Sequence, residues 1–297
     1  MSNIVTMHEK DMQKVSAQQK VVKIAVQVLL YLFLGVMALI VIFPFYWMII
    51  SSLKTVQEYQ WPVASLWPNK FDFLNYVEVF QNPDLALGQL FLNTLYVGIV
   101  STLLSLVITV ITAFAFARLE FKGKEALFAV LLGTMMIPGE LFTITNFQTV
   151  WYLGWPNTYT VLIVPFLVSI FYVYLLRQNF KQIPNELYLA AKVDGTSDLK
   201  YLWKVMIPLS LPNLISITIL KMMGAWNSYM WPNLVADDIG HRLITNGLRG
   251  AFTDTSGVTD IPAQMAAVTL VSIPLFLVFI FLRKYIMKGV SRSGIKG

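Results

Sequence analysis

Long uncharged apolar runs alternate along the chain with short, polar, mostly basic segments. Residues 24–50 hold no charged side chain, and neither do residues 85–117. A third run opens at Ala126 and is broken only by Glu140, after which 141–176 is uncharged again. One crossing of the hydrocarbon takes about 20 residues, so this last stretch of roughly 36 is too long for a single span. Gly154-Trp155-Pro156-Asn157 places turn chemistry at its middle and divides it in two. A fifth run covers about 209–231 and encloses Lys221, and a sixth covers 261–282. Lipid offers no partner to backbone N–H and C=O groups, so each run is expected to be a helix. The pattern therefore predicts an all-α integral membrane protein with six transmembrane helices.

Composition agrees. The chain is 57% hydrophobic and 13% charged, where a soluble domain is about half apolar and a quarter charged. A soluble core of this length would not need so many uncharged runs of spanning length. The first 23 residues are polar and the run after them is too long for a signal h-region, which argues against a cleavable signal peptide. No cysteine is present, so disulfides, thiolate catalysis and Cys-bound metal are excluded. His8 and His241 are the only histidines and form no cluster for a metal or a proton relay.

The net charge of +6 gains meaning from its distribution. One set of segments collects Lys10, Lys14, Lys20 and Lys23, then Arg118, Lys122 and Lys124, then Arg177, Lys181, Lys192, Lys200 and Lys204, then Arg283, Lys284, Lys288, Arg292 and Lys296. The opposite side keeps only Lys54, Lys70, Arg242 and Arg249, with Lys221 inside a span. The positive-inside rule puts both termini in the cytoplasm. Basic residues so arranged are topology signals, not a nucleic-acid surface. Two sizeable loops are then external: 54–84, with Trp61-Pro62 and Trp67-Pro68, and 232–260, with Asp237, Asp238, Asp254 and Asp260. Both suit contact with an extracellular partner or interfacial anchoring.

The segment QIPNELYLAAKVDGTSDLKYLWKVMIPLSLPNL, residues 182–214, is cytoplasmic by this topology yet carries ordered signals. Pro184 suits the first turn of a helix. Leu187, Ala190 and Ala191 recur at i, i+3 and i+4 and make one apolar face, which the alanines keep shallow enough for another protein to approach. Gly195 ends the helix with a positive φ. Thr196, Ser197 and Asp198 offer an N-cap to a second helix, which Pro208 ends or bends. The prediction is a rigid helix–turn–helix knob feeding the fifth span.

This segment resembles the EAA loop of ABC importer permeases, through Ala190, Ala191, Asp194, Gly195, Pro208 and Pro212. Leu189 stands where the family has its first glutamate, and Glu186, one turn earlier, matches another common family residue. Pro44-Phe45-Tyr46-Trp47, Met136-Ile137-Pro138-Gly139-Glu140, Trp226-Asn227-Ser228-Tyr229-Met230-Trp231-Pro232 and Gly294-Ile295-Lys296-Gly297 are similar to stretches of the MalG-type carbohydrate permease family. The likeness spans nearly everything beyond residue 24.

The resemblance implies a type I importer permease: a cytoplasmic tail at 1–23, a first span at 24–50, an extracytoplasmic loop at 51–87, a permease core at 88–284 holding the coupling loop at 180–208, and a cytoplasmic tail at 285–297. It implies a second homologous permease beside this one, two ATP-binding cassette subunits, an extracytoplasmic solute-binding protein and a bacterial or archaeal cytoplasmic membrane. ATP and Mg would be held by the partner subunits. This chain would have no catalytic residue, metal or cofactor, and would move a sugar by alternating access. In the family the loop forms a coupling helix seated in a groove of the ATPase, here contributed by Glu186, Leu187, Ala190, Ala191, Asp194, Gly195 and Pro208. A permease for a non-sugar solute shares the same loop.

Other classes lack their residues. No G-x-x-x-x-G-K-[ST] loop occurs; Gly289 and Gly294 have the spacing but Ile295 follows. H-E-x-x-H and G-x-S-x-G are also absent. An ion-driven carrier needs intramembrane carboxylates, and only Glu140 qualifies. Lys221, about 18 Å along its helix from Leu209, is costly at such depth and faces the bundle or a water-filled cavity. It meets an acidic sugar such as a uronate, pairs with Glu140, or contacts the partner permease. Trp226, Asn227 and Tyr229 are sugar-binding candidates by chemistry, with helix packing as the alternative.

Overall fold

A computed structural model describes residues 2–83, 85–248, 252 and 259–291. Asp84, Arg249, Asp254 and the tail from Arg292 through Gly297 lie outside the described residues.

The described chain is helical almost throughout. The helices are α1 (Ser2–Ser51), α2 (Val56–Tyr59), α3 (Leu74–Gln81), α4 (Leu87–Arg118), α5 (Lys124–Thr134), α6 (Thr143–Tyr152), α7 (Tyr159–Ile163), α8 (Ile170–Gln182), α9 (Asn185–Val193), α10 (Asp198–Tyr201), α11 (Ile207–Leu209), α12 (Leu211–Trp226), α13 (Met230–Val235), α14 (Ile244–Gly247) and α15 (Ile261–Ser291). Three helical stretches are long and apolar enough to cross a membrane unbroken: Val22–Ser51, Leu87–Arg118 and Ile261–Phe281. Three more apolar pairs bend at a short break: Lys124–Thr134 with Gly139–Tyr152 by 80°, Tyr159–Phe166 with Ile170–Gln182 by 45°, and Asp198–Leu209 with Leu211–Trp226 by 82°. The described residues thus hold three unbroken helices of spanning length, or six candidate spans where each bent pair counts as one.

The breaks have local causes. Pro138 follows α5 and cannot donate to its last turn. Gly154 (φ 69°) and Asn157 (φ 57°) take left-handed conformations in the turn between α6 and α7. Pro165 sits inside the 3-10 turn Val164–Phe166 that precedes α8. Pro208 has no N–H for the carbonyl one turn earlier, and a π turn, Leu202–Met206, lies just before it.

Packing is organised around α4, which lies against α8 and α12, while α15 lies against α12, α1 and α3. Three buried apolar clusters result. The first joins Phe114 and Phe116 of α4 to Phe128, Leu176, Phe180, Tyr201 and Met206. The second joins Leu87 and Leu90 of α4 to Val79, Trp226, Ala263, Ala266 and Ala267. The third joins Val97 to Val150, Val161, Trp231 and Leu243. By contrast α1 is exposed from Val22 through Phe45, an apolar surface left for lipid or another chain.

The loop 51–83 is folded through buried polar groups. Asn75 Nδ2 donates to the carbonyls of Ser52 (2.9 Å) and Lys54 (2.8 Å). Lys54 Nζ donates to Ser65 O at 2.5 Å and lies 4.5 Å over the Trp47 ring. Glu58 accepts from Ser65 Oγ (2.6 Å), from Asn69 N (3.0 Å) and from Asn69 Nδ2 (2.9 Å). Burial pushes the Glu58 carboxyl up, but those hydrogen bonds and the Lys54 charge hold it below the usual glutamate range.

Candidate functional site: an exposed helical knob and a lysine-lined cavity

Helix α9 is set off by its end residues. Pro184 (φ −54°, ψ 135°) is the N-cap, so the helix begins one residue after it. Glu186 lies in the first turn, where the helix dipole favours an acid. The last turn closes with Asp194 N on Ala190 O (3.0 Å), Gly195 N on Lys192 O (3.0 Å) and Thr196 N on Ala191 O (2.8 Å). Gly195 takes φ 70°, which a side chain would strain. Ser197 then caps α10 by accepting from Lys200 N.

The two helices are tied together. Tyr188 Oη donates to Asp198 Oδ1 at 2.7 Å, and Lys192 Nζ reaches the same oxygen at 2.7 Å. The Lys192 and Tyr188 hydrogen bonds hold the Asp198 carboxyl below its ordinary value. Tyr188 and Ala191 pack onto the first apolar cluster. The shallow face read from the sequence is therefore split. Ala191 turns inward with Tyr188, while Glu186, Leu187, Leu189, Ala190 and Val193 are exposed, Val193 at 89%. The reason is angular: Tyr188 and Ala191, three apart, share one side of the helix, and a tyrosine outweighs an alanine in apolar area.

Two arginines counted only as topology signals fix the surroundings of this knob: Arg118 holds its first turn, and Arg177 ties α8 to α4 and α5. Arg118, at the end of α4, donates to Phe180 O (2.9 Å), Ile183 O (2.5 Å) and Asn185 Oδ1 (3.3 Å), holding the turn between α8 and α9. Arg177 is buried. It donates to Phe116 O (3.1 Å), its Nη2 reaches both Glu125 carboxylate oxygens (2.6 and 2.7 Å), and its guanidinium lies 3.9 Å over the Phe128 ring. A push on α9 therefore reaches α4, α5 and α8 through fixed contacts.

Between the clusters lies a cavity of about 340 Å³. Its wall includes Ser101 of α4, Ser169 and Tyr172 at the start of α8, Lys221 of α12, Ser228 and Trp231. Lys221 is the one charged side chain among the lining residues, and its Nζ donates to Phe166 O at 2.5 Å. Phe166 ends a 3-10 turn, where carbonyls lack helical partners. Trp231 is fixed by its indole N–H on Val161 O (2.9 Å) and by an edge contact to Phe166 at 5.7 Å between centroids.

Of the five substrate candidates, the cavity takes in Lys221 alone. Helix α12 stops at Trp226, with Asn227 Nδ2 donating back to Met223 O (2.9 Å), so the chain turns before reaching Trp231. Trp226 is consequently buried in the second cluster against Phe91 (5.9 Å between centroids). Asn227, Tyr229 and Glu140 are exposed, and no ion pair joins Glu140 to Lys221. Among the described residues no cluster of metal-ligating side chains occurs.

Helices long and apolar enough to cross a membrane, a cavity among them and an exposed helical knob are consistent with a multi-pass membrane protein. The chain belongs to the family of binding-protein-dependent transport system inner membrane components, whose model matches residues 15–292. It is 30% identical to an arabinooligosaccharides transport system permease protein of Halalkalibacterium halodurans, over 88% of this chain and 93% of that one. It is 31% identical to a trehalose/maltose transport system permease protein of Thermococcus litoralis, over 88% and 94%. It is 29% identical to a polygalacturonan/rhamnogalacturonan transport system permease protein of Bacillus subtilis, over 91% and 97%. A crystal structure of a bacterial ABC transporter involved in import of the acidic polysaccharide alginate shares the fold, with a TM-score of 0.78, 22% identity and coverage of 87% of this chain and 95% of that one.

Proposed function

We propose that the chain is the permease subunit of an ATP-driven sugar importer, working beside a second permease, two ATP-binding cassette subunits and an extracytoplasmic solute-binding protein. The single observation that carries this reading is the outer face of α9, which leaves Glu186, Leu187, Leu189, Ala190 and Val193 exposed on a helix locked to the membrane core. The relatives named as oligosaccharide permeases support sugar as the cargo. In this reading the three unbroken helices and three bent pairs are six spans with both termini in the cytoplasm. ATP and Mg sit in the cassette subunits, and this chain holds neither. The coupling residues are Glu186, Leu187 and Ala190 at the contact, Ala191 in the packing beneath, and Asp194, Gly195 and Pro208 shaping the turn and the bend.

The mechanism is mechanical. Closure of the cassettes carries α9, and Arg118 and Arg177 pass the movement into α4 and α8, whose faces line the cavity. Lys221 and Trp231 meet cargo there, while the exposed Glu140, Asn227 and Tyr229 suit the side turned toward the second permease. The test is ATPase activity of the purified complex with its co-encoded subunits. Stimulation by sugar-loaded binding protein is expected, and Ala190→Asp abolishes it. Equal stimulation in the variant removes α9 as the coupling element.

A further inference from the structure

Lys221 has a neutral partner and, among the described residues, no counter-charge. Its ammonium carries three N–H donors, and one is engaged by the Phe166 carbonyl. The other lining residues are hydroxyl, aromatic or aliphatic. A half-buried lysine on a helix of an apolar bent pair is expensive in a membrane and is retained where it serves a pathway or a ligand. We propose that Lys221 selects the carboxylate of an acidic saccharide, a uronate-type sugar, as it passes through the cavity. The inference rests on the sugar-permease reading above and names the chemistry of its cargo.

The rest of the wall fits that cargo. Ser101, Ser169, Tyr172 and Ser228 supply hydroxyls for sugar hydroxyls, and Trp231, held by Val161 O and Phe166, supplies a fixed aromatic surface for C–H faces. A volume of about 340 Å³ equals about eleven waters at about 30 Å³ each, room for one sugar ring in transit. A carboxylate gains a charge-assisted hydrogen bond from Lys221 that a neutral hydroxyl does not. One lysine also balances a single negative charge better than a phosphomonoester, which carries about −1.5 to −2 near neutral pH.

The experiment is uptake into proteoliposomes holding the whole complex, with binding protein saturated by digalacturonate, by its methyl ester, by galactobiose or by glucose 6-phosphate. Wild type should move digalacturonate at least tenfold faster than the ester or galactobiose. Lys221→Met should collapse that ratio toward one by slowing the acid, and Lys221→Arg should restore most of it. Ester and neutral sugar moving as fast as the acid in wild type would overturn the proposal and leave the sugar permease intact. Preference for the sugar phosphate would overturn the carboxylate assignment. Movement of no sugar at all would sink both readings. Where Lys221→Met fails to assemble, Lys221→Gln reads the same ratio, and a ratio kept at the wild-type value in Lys221→Gln would overturn the proposal.

Discussion

Arg118 lies at the C-terminal end of α4 and touches the carbonyls of Phe180 and Ile183 and the amide of Asn185. Replacing it by Met takes the guanidinium from Ile183 O, at about 1–3 kcal/mol for an unsatisfied group, while Phe180 O keeps its bond from Ile183 N. Arg118→Met is expected to lower the melting midpoint of the purified complex and weaken binding-protein stimulation. An unchanged midpoint would mean water replaces the guanidinium. Glycines make a sharper pair. A Cβ on Gly247 would lie 2.4 Å from Leu90 Cδ1, and Leu90 is 1% exposed with nowhere to go. A Cβ on Gly98 would meet Met222 Sδ at 2.8 Å, the end of a flexible, partly buried side chain. Gly247→Ala should therefore destabilise by about 1–3 kcal/mol, and Gly98→Ala by clearly less, in parallel thermal melts. Glu58 gives a pH prediction. Its carboxyl is held below the ordinary glutamate value, so its contribution is complete above about pH 4.3 and fades as pH falls through the lowered pKa. Protease resistance of the loop 51–83 should hold at pH 7 and pH 5 and fail only in stronger acid, whereas Glu58→Gln should be cut faster at neutral pH.

At the scale of elements, legibility followed punctuation. Pro184, Gly195, Ser197 and Pro208 each impose a backbone conformation or a cap by their own covalent structure, so α9, its turn and the helix after it could be read from the chain. The inward turn of Ala191 could not, because it depends on Tyr188 reaching a cluster built from α4, α5 and α8. The cavity was legible only at Lys221, whose charge stands out in an apolar run. Its other walls come from breaks after Phe166 and Trp226, where distant residues meet. The roles of Arg118 and Arg177 were hidden for the same reason: a count of basic residues gives sidedness but not partners. Gly195 carries the prediction at this scale. Gly195→Val forces a branched residue into φ 70°, a cost on the order of 1–2 kcal/mol, and should loosen α9 from α10. Faster amide exchange over 185–201 measures it, and unchanged exchange would show that the Tyr188–Asp198–Lys192 contacts alone hold the turn.

The described residues combine three unbroken helices of spanning length with three bent pairs, packed around α4. A break at a proline or a π turn is a place where a helix can change its angle. Both cavity walls on the α8 and α12 side run into such bends, at Phe166 and at Ser210, and α12 continues through the second bend into the helices that α9 is tied to. Movement of α9 and reshaping of the cavity are thus expected to occur together. The most direct measurement is sugar uptake by the reconstituted complex with ATP supplied on the coupling-helix side, set against uptake driven by a proton or sodium gradient without ATP. The account predicts uptake that requires ATP and loaded binding protein and is lost in Ala190→Asp. Uptake that runs on an ion gradient alone, unaffected by that substitution, would contradict it.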